Sequence, residues 1–330
     1  MKRILITGAS GFVGSFIIEE ALKNNFEVYA GVRKTSNRRY LSHPGIAFIT
    51  LDFSNKKALK DLLLKTPRFD YIVHVAGIIK TCRKDQFDTV NYRYTRNFIE
   101  ALTETQRVPD KFLFISSLAA MGPGDEKSLK PVTLNDKPHP ISFYAKSKLK
   151  AEQFILSQKN FPYLILRPTG IYGPREKDYY LAYKSIQQHI ETYIGSKEQH
   201  LTFLHVIDLA RLVITALESK IVNKTYFVTD LKYYTAEQFN MLIKKILNKK
   251  TLTIVFPKFF VQMVVAINET ISCLLGKPVT LNRDKYHELI CKNWLCEADE
   301  TAKDFEFTPQ YDLEKGLRQT IAWFKKERML

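Results

Sequence analysis

The 330-residue sequence lacks several features that would assign it to a class at once. No stretch reaches about 18 consecutive apolar residues, so we expect no helix that spans a bilayer. No HExxH motif or paired Cys/His spacing is present, so we predict no metal site. No signal peptide precedes the first strand-like run, which indicates a cytoplasmic protein. Cysteine is scarce and forms no Cys-x-x-Cys pair, so we expect free thiols in a reducing compartment at Cys82, Cys273, Cys291 and Cys296.

Acidic residues are also in short supply. The 34 acidic residues face 50 lysines and arginines, which gives a formal net charge of +16 in a chain of ordinary globular composition. Two explanations stay open: charge that serves only solubility, and peripheral contact with an anionic membrane. We expect no nucleic-acid partner, because the basic residues are scattered and no binding module is recognisable.

The first 170 residues alternate short apolar runs with amphipathic stretches, which is the pattern of βαβ units around a parallel sheet. The predicted strands cover residues 3–7, 27–32, 47–51, 71–75, 112–116 and 163–167. The predicted helices cover residues 13–23, 57–65, 89–105 and 143–158. We therefore predict an α/β fold with a Rossmann-type doubly wound parallel sheet.

The pattern changes after Arg167. Isolated strands are predicted at 202–207 and 225–229, and the pattern from residue 235 onward is mostly helical, broken by Pro257, Pro278 and Pro309. We predict a Rossmann domain over residues 1–170, to which 202–230 return. Residues 171–201 and 231–330 would form a smaller, mostly helical C-terminal lobe that binds the substrate.

Three glycines, Gly8, Gly11 and Gly14, lie directly after the first strand and open the first helix. Glycine there permits a tight turn, a close approach of the backbone to a pyrophosphate, and close packing of helix on strand. The N–H groups and dipole at the helix start then attract the anion. The spacing is GxxGxxG rather than GxGxxG, and a purely structural turn is the alternative. We predict a dinucleotide site.

The second strand ends in Arg33 and Lys34, where a site for NAD would place an acidic residue against the ribose hydroxyls. Guanidinium and ammonium groups suit a 2′-phosphate, so we predict NADP(H) over NAD(H). A solvated basic loop that continues into Arg38 and Arg39 is the alternative.

The spacing Tyr-x-x-x-Lys occurs four times in the chain, so the spacing alone identifies nothing. Only Tyr144 and Lys148 lie between the last two predicted strands of the sheet, on one face at the start of a helix. They also follow a strand that ends in Ser116 and Ser117. Ligands of open α/β sheets bind at the carboxyl ends of the strands, which makes Ser117, Tyr144 and Lys148 the predicted catalytic residues.

These motifs together resemble the extended short-chain dehydrogenase/reductase family, which includes nucleotide-sugar epimerases and dehydratases, dihydroflavonol reductases and 3β-hydroxysteroid dehydrogenases. The likeness covers nearly the whole chain. It rests on the glycine turn, Asp52, His74-Val-Ala76-Gly77, Ser116-Ser117, Tyr144-x-x-x-Lys148, the segment 166–175, Phe203-Leu-His-Val-Ile-Asp208 and the terminal segment 316–323.

The resemblance implies roles for these residues. Tyr144 would act as general acid/base, with its pKa lowered by Lys148 and the oxidised nicotinamide, Lys148 would also hold the ribose, and Ser117 would orient the reacting oxygen. The residues expected around the cofactor are Thr7, Gly8, Ser10, Gly11, Phe12, Val13, Gly14, Arg33, Lys34, Asp52, Phe53, Ala76, Gly77, Tyr144, Lys148, Pro168 and Thr169. For Asp52, a helix N-cap near Ser54 is the alternative. We interpret His74 as a packed core histidine.

Two features bear on the substrate. Sugar-nucleotide epimerases usually carry Ser-x-x-x-Tyr-Gly after the catalytic serine, whereas this chain has Met121 before Gly122, which favours the reductase and hydroxysteroid branches. The segment 257–276 is apolar around most of a helix. It is interpreted either as a core helix of the lobe or as an apolar lid over the substrate, resting on a membrane surface.

The leading hypothesis is an NADP(H)-dependent ketoreductase or alcohol dehydrogenase that acts on an apolar carbonyl compound, such as a 3-ketosphinganine-like lipid ketone or a steroid-like ketone. The alternatives are a nucleotide-sugar epimerase or dehydratase that holds NAD tightly, and a non-catalytic NADP-binding protein. By the family resemblance we also expect a homodimer.

Overall fold

A computed structural model describes residues 1–276 and 281–330. Pro278, one of the predicted helix breakers, lies outside the described residues. The strands are β1 (Arg3–Thr7), β2 (Glu27–Val32), β3 (Ile46–Thr50), β4 (Tyr71–His74), β5 (Lys111–Ile115), β6 (Tyr163–Pro168), β7 (Gly170–Tyr172), β8 (Ile190–Ile194), β9 (His200–Leu201), β10 (Phe203–His205), β11 (Lys224–Val228), β12 (Tyr234–Thr235), β13 (Leu252–Phe256) and β14 (Asn293–Trp294).

The helices are α1 (Phe12–Lys23), α2 (Lys56–Lys65), α3 (Asp85–Phe87), α4 (Tyr94–Glu104), α5 (Phe143–Leu156), α6 (Tyr180–Gln187), α7 (Val206–Glu218), α8 (Ala236–Leu247), α9 (Lys258–Leu274), α10 (Arg283–Leu289), α11 (Asp299–Phe305) and α12 (Leu313–Lys326). A π-helix over Asp88–Arg93 joins α3 to α4, and a 3₁₀ turn covers Leu118–Ala120. Among these described helices, none combines the length and the apolar character that crossing a bilayer requires.

The central sheet has seven parallel strands in the order β11-β6-β5-β4-β1-β2-β3. Alternate side chains of a strand point to opposite faces, so Ile4 and Ile6 pack with α1 and α7, while Leu5 packs with α2, α4 and α5. The predicted fold class is confirmed: a doubly wound sheet carries helices on both faces, and its strand order reverses between β1 and β4.

Most predicted strands of the sheet lie within one residue of the observed ones, but the rest of the chain departs further. Residues 202–207 form only the three-residue strand β10, because α7 already begins at Val206. The predicted helix 89–105 starts as a π-helix. The mostly helical C-terminal part also contains β13, which pairs in parallel with β8 over five residues. The division into a Rossmann domain and a lobe remains a prediction.

The expectation of four free thiols is wrong for one pair. Cys82 and Cys273, 191 residues apart, form a disulfide with their Cα atoms 5.4 Å apart. Cys291 and Cys296 are free thiols. The sequence could not signal the bond, because the pairing depends on which loop the end of α9 reaches. Since disulfides persist in oxidising surroundings, cysteine usage no longer argues for a reducing compartment.

Candidate active site

The glycine turn brings α1 against the carboxyl ends of two strands. Gly8 has a φ of +66°, and a Cβ there would lie 2.8 Å from the Ala76 nitrogen that follows β4. A Cβ on Gly14 would lie 2.3 Å from the Gly8 oxygen. Both positions therefore require glycine, since any side chain would push helix and strand apart.

The first turn of α1 has features that favour the binding of an anion. Its N-cap is the exposed Gly11, no side chain caps the helix start, and no acidic residue lies in the first turn. The backbone N–H groups there have no partner within the helix, and the helix dipole adds positive potential. The predicted residues Ser10, Phe12 and Val13 surround this helix start, which fits the pyrophosphate of a dinucleotide.

The Thr7 side chain positions the backbone of Ala76 at this site. The hydroxyl of the fully buried Thr7 lies 2.8 Å from His74 Nδ1 and accepts a hydrogen bond from the Ala76 nitrogen. It therefore fixes Ala76 opposite Gly8. The contact of Thr7 with the cofactor remains a prediction.

His74 is a packed core histidine, as predicted. It is 1% exposed, and Nε2 lies 3.0 Å from the Thr95 hydroxyl. Burial lowers its pKa to about 3, helped by the charge of Lys148, so the ring is neutral at physiological pH.

Asp52 does not cap α2, so the alternative interpretation of this residue is wrong. Asn55 is the N-cap and accepts from the Ala58 nitrogen, whereas exposed Asp52 accepts from both the nitrogen and the hydroxyl of Ser54. Phe53 packs edge-on against His74, with ring centres 5.5 Å apart. Both Asp52 and Phe53 follow β3, at the edge where an adenine contact is predicted.

Arg33 and Lys34 follow β2 and are exposed, and their side chains have no ion-pair partner among the described residues. The next two arginines differ. Arg38 lies over the Phe48 ring at 4.3 Å, and Arg39 forms an ion pair with Glu327 at 2.5 Å. The basic loop is therefore not uniform: the two cations nearest the glycine turn remain available for an anionic ligand.

Gly77 and an asparagine that was not predicted lie between the segment after β4 and the helix that carries Tyr144. Asn91, buried in the π-helix, accepts from the Ile78 nitrogen and donates to the Ile78 oxygen and to the Ser147 hydroxyl. A Cβ on Gly77 would lie 3.7 Å from Lys148 Nζ. The signal for Asn91 was a polar residue inside an amphipathic helix; π-bulges of this kind are frequent at functional sites.

Ser117 and Tyr144 meet at the carboxyl end of β5. Burial and the charges of Glu288 and Asp178 raise the pKa of Tyr144 to about 12, while a hydrogen bond with Ser117 and the charge of Lys285 oppose that rise. The Ser117 hydroxyl also accepts from the Ala119 nitrogen as the cap of the 3₁₀ turn. At neutral pH Tyr144 is therefore a phenol with a proton to give.

Lys148 is not among the groups that lower the pKa of Tyr144, contrary to the prediction. Its ammonium is 2.7 Å from the Ile115 oxygen and 4.6 Å from the centre of the Phe114 ring. Burial lowers the pKa of Lys148 to about 8, against the opposing charge of Glu152. Among the protein's own groups, Lys285 rather than Lys148 is the cation that lowers the pKa of Tyr144.

A buried charge network supports these residues, and sequence reasoning missed it. Glu152, fully buried on α5, accepts three hydrogen bonds from Arg167 on β6 and one from Ser116, which directly follows β5. A buried carboxylate needs such partners to stay charged. The network joins β5, β6 and α5 one turn below Lys148.

Helix α10 contributes a second unforeseen set beside Tyr144. Asp284 accepts from the nitrogens of Phe143 and Tyr144 at 2.6 and 3.1 Å, which caps the start of α5. Glu288 accepts from Ser142 and pairs with Lys285 at 2.9 Å. Burial lowers the pKa of Lys285, but Glu288, Tyr179 and Asp178 together raise it above its ordinary value. These residues lie about 140 positions from Tyr144, so only folding could bring them there.

The remaining predicted residues lie at the same edge. Pro168 ends β6, and Thr169 donates to the Thr202 oxygen at 2.8 Å. Met121 is 1% exposed and packs with Leu118 in a small core cluster. Among the described residues, no group of three or more His, Cys, Asp or Glu side chains is placed to hold a metal ion.

Comparisons with known proteins agree with this geometry. The chain is 24% identical to a 3 beta-hydroxysteroid dehydrogenase/Delta 5→4-isomerase of vaccinia virus (strain Copenhagen) over 97% of this chain and 98% of that protein. It is 23% identical to a ceramide reductase of Caulobacter vibrioides, over 98% and 94%. A UDP-glucose 4-epimerase structure from Thermotoga maritima superposes with a TM-score of 0.80 at 19% identity, covering 99% of both chains.

The family model of the NAD dependent epimerase/dehydratase family matches residues 4–228, from β1 to the end of β11. This span is more than half of the chain and contains the glycine turn, Ser117, Tyr144 and Lys148. The protein therefore belongs to the NAD dependent epimerase/dehydratase family, and it is an enzyme of the extended short-chain dehydrogenase/reductase type that uses a nicotinamide cofactor.

Proposed function

We propose that this enzyme is an NADP(H)-dependent ketoreductase or alcohol dehydrogenase that acts on an apolar carbonyl compound. The observation that carries the proposal is the meeting of Ser117, Tyr144 and Lys148 at the carboxyl end of β5, with Tyr144 held in its protonated form. A substrate carbonyl that accepts from Tyr144 and Ser117 would be both oriented and ready for protonation.

The nicotinamide and Tyr144 together supply the hydride and the proton that the reduction requires. When bound, the nicotinamide supplies a hydride to the carbonyl carbon. Tyr144 donates its proton to the carbonyl oxygen, so the C=O π bond is replaced by one C–H and one O–H bond. Ser117 donates to the same oxygen as charge develops there. Lys148, beside Gly77, holds the ribose and lies one helical turn from the phenolate that Tyr144 becomes.

The proposed preference for NADP(H) rests on Arg33 and Lys34. Both are exposed cations at the end of β2, and neither has an ion-pair partner among the described residues. A 2′-phosphate would supply the missing partner through charge-assisted hydrogen bonds. The neighbouring Arg38 and Arg39 already have partners within the protein.

The proposed substrate is a 3-ketosphinganine-like lipid ketone or a steroid-like ketone. Full-length relatives are named as a steroid dehydrogenase and a ceramide reductase. Helix α9, which is linked to Tyr144 through α10, exposes a wide apolar face. We further propose a homodimer with peripheral contact to anionic membrane; light scattering of the purified chain tests the dimer.

The test is a reduction assay with NADPH and a panel of long-chain, steroidal and small polar ketones, followed by the loss of NADPH absorbance. We expect turnover of long-chain or steroidal ketones and much less with NADH. Turnover confined to nucleotide sugars would contradict the proposal.

A nucleotide-sugar epimerase or dehydratase is the second candidate. The charged pair Lys285–Glu288 beside Tyr144 would suit a polar substrate, and relatives named as sugar-nucleotide enzymes match two thirds of the chain. Such an enzyme recycles its cofactor and holds it tightly. Release of NAD from denatured, purified protein in a one-to-one ratio would favour this candidate. The non-catalytic hypothesis is set aside, because the chain belongs to a family of enzymes.

A further inference from the structure

Helix α9 carries its apolar residues on the outside of the protein. Only Val261 and Val265 are buried, against Tyr286 of α10. Eight apolar side chains of α9 and its C-cap are between 40% and 83% exposed: Phe259, Phe260, Met263, Val264, Ile267, Ile271, Leu274 and Leu275. The interpretation of this segment as a core helix is therefore wrong.

These eight side chains, the α9 face, form one continuous surface. At 3.6 residues per turn they fall within an arc of roughly 160° around the helix axis. Thr270 also falls inside this arc, and its hydroxyl donates to the Ala266 oxygen at 2.8 Å, so it needs no partner outside the helix. An apolar surface of this breadth on a single helix is typical of an interaction site.

Two separate connections tie α9 to the region of Tyr144. The Cys82–Cys273 disulfide holds the loop 78–84 against the last turn of α9. On the other side, Glu269 accepts from the Arg283 nitrogen, and Asp284 caps the start of the helix that carries Tyr144. Phe143, next to Tyr144, is 44% exposed.

Cations surround this surface. Lys84 and Lys146 lie 5.0 and 5.7 Å from the centre of the Phe143 ring, and Lys258 begins α9. None of these three ammonium groups has an ion-pair partner among the described residues. The loop 78–84 contains three basic residues and no acidic residue, and its Ile79 is 55% exposed. The acidic Glu269 on α9 is paired with Arg283.

We propose that the α9 face is a docking surface for an anionic lipid bilayer. The apolar arc would enter the boundary between headgroups and acyl chains, and Lys84, Lys146 and Lys258 would contact lipid phosphates. A second copy of this chain fits less well, because it would present the same unpaired cations to one another. Docking would bring the region of Tyr144 close to the lipid. The role of docking in substrate uptake rests on the proposed reduction of an apolar ketone.

The experiment is co-sedimentation of the full chain with vesicles of phosphatidylcholine alone, or with about one-third phosphatidylserine. We expect binding to the anionic vesicles that weakens with added salt, and at least about tenfold weaker binding for the Ile267→Glu/Ile271→Glu variant. The matched control, Leu64→Glu/Leu156→Glu, changes two similarly exposed leucines on α2 and α5 and should bind like the unmodified protein.

NADPH affinity, measured by fluorescence, shows that each variant is folded. A Lys84→Gln/Lys146→Gln/Lys258→Gln variant should lose the preference for anionic vesicles. Absence of vesicle binding, equal loss in both glutamate variants, or a dimer that only Ile267→Glu/Ile271→Glu dissociates would each overturn docking. Vesicle binding by a protein that turns over only nucleotide sugars would overturn the proposed substrate and leave docking intact.

Discussion

Helices α1 and α9 are both rich in apolar residues, yet they meet very different surroundings. Six of the twelve residues of α1 are buried, whereas only two of the seventeen residues of α9 are. Helix α1 packs between the sheet and α7, while α9 rests on α10 and little else. An apolar helix is therefore a core element only where the topology supplies a second layer to cover it.

The two sides of the candidate active site differ in the same way. The glycine turn, β5 and α5 lie on the large core clusters of the sheet, and the buried Glu152 of α5 is paired with Arg167. The region of α9 and α10 adds polar groups such as Lys285 from the side, and its core is the small cluster around Val261, Val265 and Tyr286. We expect chemistry to depend on the first region and access of the substrate to depend on the second.

Replacing the proposed proton donor should give the largest effect. Tyr144→Phe removes the hydroxyl that protonates the substrate, and we expect kcat/KM for reduction to fall by about 10²–10⁴-fold with NADPH affinity retained. Tyr311→Phe is the matched control, because Tyr311 and Lys315 have the same spacing far from β5. Equal rates for the two variants would remove Tyr144 from the mechanism.

A pair of truncations tests the comparison of the two helices directly. Ile17→Ala on α1 removes a fully buried side chain and should lower the free energy of unfolding by about 3 kcal/mol. Ile267→Ala on α9, where the side chain is 54% exposed, should change it by less than about 0.5 kcal/mol. Urea denaturation measures both, and similar losses would mean that α9 is covered in solution.

The preference for NADPH over NADH should depend on the charge of Arg33. Arg33→Asp should weaken NADPH binding by roughly 10- to 100-fold, because it replaces a cation at the 2′-phosphate by an anion, and it should leave NADH binding nearly unchanged. Lys250→Asp makes the same change of charge far from the glycine turn. Fluorescence titration compares the variants; an equal loss for both cofactors would contradict the assignment of Arg33.

The smallest expected effect is on the pH dependence. The pKa of Lys148 is about 8, so its ammonium is charged below that pH and lost above it, while Tyr144 keeps its proton up to about 12. Reduction should therefore slow above pH 8, by roughly tenfold at pH 9 if only the charged form works. Lys148→Arg should move the decline to higher pH, because arginine stays charged. A flat profile through pH 9 would show that the charge is not needed.

Much of the sheet region was predictable because its signals are local. The apolar runs of β1 and β2, the glycines at 8 and 14, and the Tyr144–Lys148 pair each act over a few residues. Where the prediction from the sequence failed, contacts between distant segments determined the outcome. Burial, together with the charges of Glu288 and Asp178, raises the pKa of Tyr144 although Lys285 lowers it. Lys148 instead donates to the Ile115 oxygen.

The amino-acid sequence by itself determined the parallel sheet, the glycine turn and the spacing of tyrosine and lysine on one helical face, because all three follow from short-range periodicity and backbone sterics. Only the tertiary structure decided that Cys82 meets Cys273, that Asp284 caps the catalytic helix, and that α9 turns its apolar face outward. These outcomes depend on which separate segments pack against one another and which faces stay uncovered, and no local pattern encodes that.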